Sequence, residues 1–154
     1  MTVTKILATV SAGLLALALA QPAAAAPTVD DAKALVIKAA EVLKAEGLEK
    51  ACPKFNDREG AFWKDGGELY VFVINFQGAW DCYPPKPAGV GTNLLDLKDV
   101  DGKELVKDMI SIAKTAGEGW VEYQWKNPAT NKIQPKATYV QRVGDVFVAS
   151  GVYK

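Results

Sequence analysis

The chain has 154 residues, of which 18 are basic, 18 are acidic and none is histidine. Because the charges balance, no basic surplus exists to neutralise a phosphate backbone, and we expect no nucleic-acid partner. The absence of histidine excludes Ser-His-Asp and Cys-His catalysis and removes the usual zinc ligand. With no CxxC or HExxH motif either, we expect a non-catalytic protein without a metal or cofactor.

The first 25 residues have the three parts of a secretory signal. A short start containing Lys5 precedes an apolar run over residues 6–20, and small residues including Ala23 and Ala25 follow. The run is shorter than the about 20 residues of a spanning helix. We expect cleavage after Ala25, with an uncleaved anchor as the alternative. Residues 26–154 would then form one periplasmic or secreted domain, without stable insertion in a membrane and with no second hydrophobic segment after it.

The sequence contains two cysteines, Cys52 and Cys82. In an exported protein, an even pair of cysteines usually forms a disulfide. We therefore expect a Cys52–Cys82 bond, and the alternative is two buried free thiols.

The N-terminal part of the predicted domain has the pattern of a long amphipathic helix. Thr28 is a good N-cap, apolar residues recur at three- and four-residue steps as far as Leu43, and Gly47 is placed to end the helix near Glu46. A shorter helical turn is expected over residues 48–54.

Two runs rich in β-branched and aromatic residues, 69–75 and 79–83, flank a turn at Gly78 and predict a β-hairpin. Residues 84–91 hold three prolines and two glycines, which favours a long loop of the kind that often covers binding sites.

A second helix is predicted to open at residues 99–103, with Asp101 as its cap, and to close at Gly117 and Gly119. Three strands follow, at residues 119–126, 135–140 and 146–153, separated by turn sequences. Helix, two strands, helix and three strands joined by short links predict an α+β fold, a single antiparallel sheet with helices packed on it.

Five ordered segments of the chain resemble a single Cache domain, the PAS-like extracellular sensing module of bacterial chemoreceptors and sensor kinases. They are Tyr70-Val-Phe-Val73 with the Gly78 turn, Gly91-Thr-Asn-Leu-Leu-Asp-Leu-Lys-Asp-Val-Asp-Gly-Lys103, Gly119-Trp-Val-Glu-Tyr123, Pro135-Lys-Ala-Thr-Tyr139 and Ser150-Gly-Val-Tyr153. The resemblance implies a PAS-like five-stranded antiparallel sheet, with a long N-terminal helix on one face and a second helix before the third strand. It also implies a pocket, on the other side of the sheet, for small molecules that are often short carboxylates.

The chain departs from that family in two respects. It has no recognisable transmembrane or signalling part of a receptor, so direct signalling is not expected of it. It also has Asp81-Cys82-Tyr83-Pro84 where many relatives have His-Pro in the second strand, so a ligand contact made there is lost or changed.

Strand alternation identifies a candidate carboxylate site. A lysine on an interior face is costly unless an anion accompanies it, which makes Lys136 the expected charge partner of a ligand. We expect three aromatic residues to line the site and two more to form apolar walls: Tyr123, Trp125 and Tyr139, with Phe72 and Trp80. Lys136 and Tyr139 lie on opposite faces of a regular strand, so both point inward only if a bulge intervenes. The alternative is a solvated lysine at a sheet edge and an ordinary aromatic core.

A calcium loop is not expected around Asp99 and Asp101. If Gly102 is the turn glycine of such a loop, Leu97 occupies the first ligand position, where an acidic residue is required.

The sequence thus favours an exported, non-catalytic domain that binds a small organic ligand, most plausibly a short-chain carboxylate. The alternative is a periplasmic protein-interaction subunit with a vestigial pocket, docking on a membrane sensor or chemoreceptor.

Overall fold

The structure is a computed structural model that describes residues 25–154, so the predicted signal sequence lies outside the described residues except for Ala25. The described chain forms three α-helices and seven strands. In chain order these are α1 (Val29–Glu46), α2 (Leu48–Asn56), β1 (Trp63–Lys64), β2 (Leu69–Tyr70), β3 (Phe72–Asn75), β4 (Trp80–Cys82), α3 (Leu105–Thr115), β5 (Glu118–Lys126), β6 (Ile133–Val143) and β7 (Val146–Tyr153).

Five strands form one antiparallel sheet in the order β4-β3-β7-β6-β5, and β1 pairs separately with β2. The predicted α+β fold and the predicted five-stranded sheet are confirmed. The strands are rich in β-branched and aromatic residues, which suit a pleated surface buried on both faces.

Helix α1 begins and ends where the sequence predicts. The Thr28 side chain accepts a hydrogen bond from the Asp31 amide, and the Asp31 carboxylate accepts one from the Thr28 amide, which completes a capping box. The buried face of α1, which includes Val36 and Leu43, packs on β6 and β7. Gly47 follows the last helical residue, as expected.

The sheet separates two hydrophobic cores. Helices α1 and α2 cover one face, where Phe55, Val73 and Val148 are buried. Helix α3 and the segment 93–104 cover the other face, where Phe72, Met109 and Phe147 are buried. Among residues 25–154, no helix has both the length and the apolar content needed to cross a membrane.

Cys52 and Cys82 form the expected disulfide, with their Cα atoms 5.5 Å apart. The bond joins α2 to the end of β4. It thereby fixes α2 against the edge strand that carries Trp80.

Two local predictions are wrong. The run 69–75 is not one strand, because Leu69 and Tyr70 pair with β1 while β3 begins at Phe72. Helix α3 begins at Leu105 rather than near residue 99, and Asp101 does not cap it.

The segment that was predicted to open the second helix instead protects the free edge of β5. The Asp99 carboxylate accepts hydrogen bonds from the amides of Asp101, Lys103 and Gln124, each at 2.9 Å. The Lys103 ammonium donates to the carbonyl oxygen of Glu122 at 2.6 Å. These contacts satisfy backbone groups on an edge strand, and they hold the segment 93–104 over the second core.

Candidate ligand-binding site

The register of three strands places a lysine between two tyrosines. Lys136 on β6 pairs with Tyr123 on β5 and with Tyr153 on β7. Paired residues of antiparallel strands project to the same face, so all three side chains lie on the side covered by α3. Phe72 and Trp80 belong to the core on that same face.

Lys136 is buried, with 1% of its surface exposed. Its Nζ lies 4.0 Å from the ring centroid of Tyr70 and 4.7 Å from that of Tyr153. The Tyr153 hydroxyl is its hydrogen-bond partner, at 3.3 Å. Within residues 25–154, no acidic side chain comes within ion-pair distance of Nζ. Lys136 is therefore a buried cation site that the described residues leave without a counter-ion.

Burial lowers the pKa of Lys136 well below its usual value, because the ammonium loses its hydration and no anion replaces it. The neighbouring phenols do not supply that anion. Burial raises the pKa of Tyr70 and of Tyr153, so both hydroxyls stay protonated and neutral. The site favours an added negative charge.

The Tyr153 hydroxyl connects the lysine to the end of β5. It donates to the carbonyl oxygen of Lys126 at 3.0 Å and lies 3.4 Å from the Tyr70 hydroxyl. Its position is fixed by partners other than Lys136. A ligand oxygen that displaces the contact with Nζ would leave Tyr153 hydrogen-bonded.

A second polar pair lies beside the lysine. The Tyr123 and Thr138 hydroxyls are 3.0 Å apart and both residues are buried. Gly151 makes this arrangement possible, because a Cβ at that position would come within 2.3 Å of the Thr138 Oγ1.

Lys136 itself lines a separate pocket together with Tyr123, Asp101 and Glu122. Its ammonium contacts the rings of Tyr70 and Phe72, which with Tyr123 line an apolar space on the same face.

That space, which we call the chamber, is nearly filled by its own walls. Its residues come from β2 to β5, from α3 and from the segment before it: Tyr70, Phe72, Ile74, Trp80, Leu94, Leu105, Val106, Met109, Tyr123 and Trp125. The free volume is about 10 Å³, which suffices for about one water molecule. None of these described residues is acidic. A larger ligand requires the side chains to move apart.

One stacked aromatic pair closes the chamber on the side of β4. The rings of Trp80 and Tyr83 are nearly parallel, with centroids 4.1 Å apart. The Tyr83 hydroxyl accepts a hydrogen bond from the Trp125 indole Nε1 at 3.4 Å. Tyr83 is partly exposed and so separates the chamber from the outside. Asp81 belongs to the segment Asp81-Cys82-Tyr83-Pro84, which departs from the family pattern. It lies outside the chamber lining, and its carboxylate accepts a hydrogen bond from the side-chain amide of Asn75.

Five of the six predicted site residues lie on the α3 side of the sheet, and Tyr139 does not. Tyr139 belongs to the core beneath α1, where its ring lies 5.1 Å from that of Trp120 and 5.1 Å from the Lys33 Nζ. Strand β6 pairs with β7 without interruption from Lys136 to Val143, so no bulge turns Tyr139 inward. Tyr139 is therefore a residue of the core beneath α1 and does not line the predicted site.

Three tyrosines of the site were not predicted from the sequence: Tyr70, Tyr83 and Tyr153. Tyr153 carried a usable signal, because it shares a face of β7 with Phe147 and Ala149 by simple alternation. Tyr70 carried one too, because alternation along residues 69–75 places it with Phe72 and Ile74. Tyr83 depends on the path of the chain after β4, which alternation does not give.

The sequence model of the Cache domain family matches residues 61–154. A sensor histidine kinase of Rhizobium johnstonii, MctS, is 35% identical over 94 residues, which are 60% of this chain. The chain therefore spans about a fifth (20%) of the length of that curated relative.

Solved structures of similar fold include the following two. A methyl-accepting chemotaxis protein from Vibrio parahaemolyticus gives a TM-score of 0.69 at 21% identity, covering 80% of this chain and 86% of the other. A Cache chemosensory domain studied for its recognition of carboxylic acids gives 0.67 at 22% identity, covering 80% and 91%.

Proposed function

The chain belongs to the Cache domain family, and from that premise we propose that it reversibly binds a small organic carboxylate at Lys136. The bound molecule undergoes no chemical conversion. The observation that carries the proposal is the burial of an ammonium group, among neutral tyrosines, with no described acidic side chain to pair with it.

The energetics favour an anionic ligand. An uncompensated buried charge costs several kcal/mol, and a carboxylate that enters the chamber offsets this cost by pairing with Nζ. The Tyr123 hydroxyl lies on the same face and is available to donate to the second carboxylate oxygen when it accepts from the Thr138 hydroxyl, whereas the Tyr153 hydroxyl already donates to Lys126. Such charge-assisted hydrogen bonds are about twice as strong as neutral ones.

The chamber walls restrict the rest of the ligand. Aromatic rings surround the Lys136 Nζ, and aromatic and aliphatic side chains line the adjoining chamber, so a short carbon chain fits the environment better than a polar body. No described chamber residue is acidic, and the ammonium group of an amino acid would therefore lack a partner. The carboxylic acid recognition reported for a Cache domain of similar fold supports the same ligand class.

We place this activity outside the cytoplasm, after removal of residues 1–25, where the domain would report or present its ligand to a membrane sensor. Two observations support this location: the signal-like N-terminus and the Cys52–Cys82 disulfide, since disulfides persist in oxidising compartments.

A second function is favoured by the small free volume of the chamber. A chamber of about 10 Å³ is also what a vestigial pocket would show. In that case the protein acts as an interaction subunit of a membrane sensor or chemoreceptor, and the aromatic cluster only stabilises the fold.

A thermal-shift screen of the purified protein distinguishes the two functions. The panel contains acetate, propionate, pyruvate and lactate, with amino acids, amines and purines for comparison. A ligand that binds the folded state raises Tm in a dose-dependent way. We expect a rise with at least one carboxylate, a much smaller rise in Lys136→Met, and the full rise in Lys50→Met, because Lys50 is an exposed lysine on α2. A well-folded protein that responds to nothing in the panel supports the interaction subunit.

A further inference from the structure

Outside the chamber, beyond Tyr83, lies an open groove of about 400 Å³. Three cationic residues line it: Arg58, Lys86 and Lys126. No acidic residue belongs to its described lining, and none of the three takes part in an ion pair between described residues. The groove is therefore a concave surface with three positive charges and no negative one.

Arg58 is held in place at the groove. Its guanidinium donates to the carbonyl oxygens of Pro84 and Pro85, at 3.0 and 2.9 Å, and lies 4.9 Å from the ring of Trp63. A guanidinium that is already ordered loses less conformational entropy when an anion binds. Trp63 is in turn positioned by Gly67, where a Cβ would come within 2.5 Å of the indole ring.

The groove and the chamber share their aromatic walls. Tyr83 lines the groove on one side and stacks on Trp80 of the chamber on the other. Trp63 also lines the groove, and its ring lies 5.7 Å from that of Tyr70 in the chamber. The backbone of Lys126, a groove residue, accepts the hydrogen bond from the Tyr153 hydroxyl that contacts Lys136. Trp63 and Tyr83 thus contact both spaces.

We propose that this groove is an outer anion site, which binds small carboxylates before they pass Tyr83 and reach Lys136. The three cations raise the local concentration of anions at the entrance and so accelerate association. Rotation of the partly exposed Tyr83 away from Trp80 opens the route. The passage to Lys136 depends on the proposed function, whereas anion binding in the groove does not.

Anion binding in the groove is tested first in a protein that lacks the Lys136 site, which we call the inner site. In the Lys136→Met protein, propionate is titrated while the Trp63 indole resonance is followed by NMR, with sodium chloride at equal ionic strength as the reference. We expect a saturable shift with propionate that disappears when Lys86→Glu and Lys126→Glu are added. Lys50→Glu, which reverses the charge of an exposed lysine outside the groove, should leave the shift unchanged. No saturable shift, or an equal shift after the two charge reversals, would overturn the outer site whether or not Lys136 binds a ligand.

The passage is tested with Lys136 intact, using stopped-flow tryptophan fluorescence and propionate. We expect the Lys86→Glu, Lys126→Glu protein to associate about tenfold more slowly at low ionic strength, with little change in the dissociation rate. The difference should vanish in 1 M salt, where the screening length is about 3 Å. Association rates equal to those of the wild type at low salt would overturn the entry route. A wild-type protein that binds none of acetate, propionate, pyruvate and lactate at Lys136 would refute the proposed inner site and the route, and the NMR result would then decide the outer site.

Discussion

Replacing Lys136 with methionine should make the unliganded protein more stable. Methionine keeps a long side chain in the same space and removes the buried charge. The ammonium gains up to about 2 kcal/mol from its cation–π contacts with Tyr70 and Tyr153 and about 1 kcal/mol from its hydrogen bond. These gains offset only part of the several kcal/mol that an uncompensated buried charge costs. The Tyr153 hydroxyl keeps Lys126 as its acceptor in the variant.

The net gain in unfolding free energy should be about 1–3 kcal/mol at neutral pH. Each kcal/mol corresponds to roughly 3–6 °C in Tm for a domain of this size. Lys136 then lowers the stability of the unliganded protein, and in our account the binding of an anionic ligand offsets this cost.

The effect has a defined pH dependence. Because the folded-state pKa of Lys136 is lowered from its usual 10.5, the unfolded chain binds more protons between that lowered pKa and 10.5. The wild type therefore gains stability with rising pH in this window, by about 1.4 kcal/mol per pH unit. The cost of Lys136 is complete below the lowered pKa and absent above 10.5, so the advantage of Lys136→Met shrinks as the pH rises.

Urea unfolding, followed by tryptophan fluorescence at several pH values, measures this difference. Lys50→Met serves as the control, since Lys50 is exposed and its replacement should change little at any pH. A Lys136→Met protein that is less stable than the wild type at neutral pH, or a stability difference that does not change with pH, would refute the reasoning.

Three further predictions concern binding, the disulfide and the β5 edge. At pH values above the lowered pKa, propionate binding should restore the charge on Lys136, so calorimetry should show proton uptake there and an affinity that falls by up to about tenfold per pH unit; an affinity that stays constant up to pH 10.5 would count against the lowered pKa. Replacing Cys52 and Cys82 by alanine should lower the unfolding free energy by about 3–4 kcal/mol, given a sequence separation of 30. The stability of the double variant should no longer depend on dithiothreitol. Equal stability of the double variant and the oxidised wild type would contradict this. Asp99→Ala should speed hydrogen exchange at the Gln124 amide, whereas Asp96→Ala, at a side chain that is 91% exposed, should not. Hydrogen bonds, above all the one from the Gln124 backbone amide, lower the pKa of Asp99 from its usual 3.8. The Asp99 carboxylate therefore stabilises the fold above pH 3.8, and this stabilisation is lost as the pH falls through the folded-state pKa. Equal acid sensitivity of Asp99→Ala and the wild type would argue against this effect.

The features that the sequence predicted best are those with local causes. Helix α1 follows from a capping box, a continuous apolar face and a terminal glycine, all within consecutive residues. Strands β5 to β7 follow from alternation and turn sequences. The face on which Lys136 lies follows from the alternation of side chains along β6. The same alternation places Tyr139 on the opposite face, away from the predicted site.

Contacts between distant segments were beyond the sequence analysis. The hydroxyls of Tyr70 and Tyr153 meet although 83 positions separate them. Asp99 looked like a helix start because its bond to Gln124, 25 positions away, depends on where β5 lies. The lysine could be placed on a face from its neighbours along the chain, but its aromatic surroundings required the complete strand register.

Isothermal titration calorimetry of the purified protein with acetate, propionate, pyruvate and lactate tests the central claim most directly. The account predicts that at least one of these binds the wild type and Lys50→Met with equal affinity. Lys136→Met should lose this binding and keep at most the weaker association with the outer groove, although this variant is the more stable protein. Binding of the same carboxylate to Lys136→Met with unchanged affinity, or binding of none of the four to the wild type, would contradict the account.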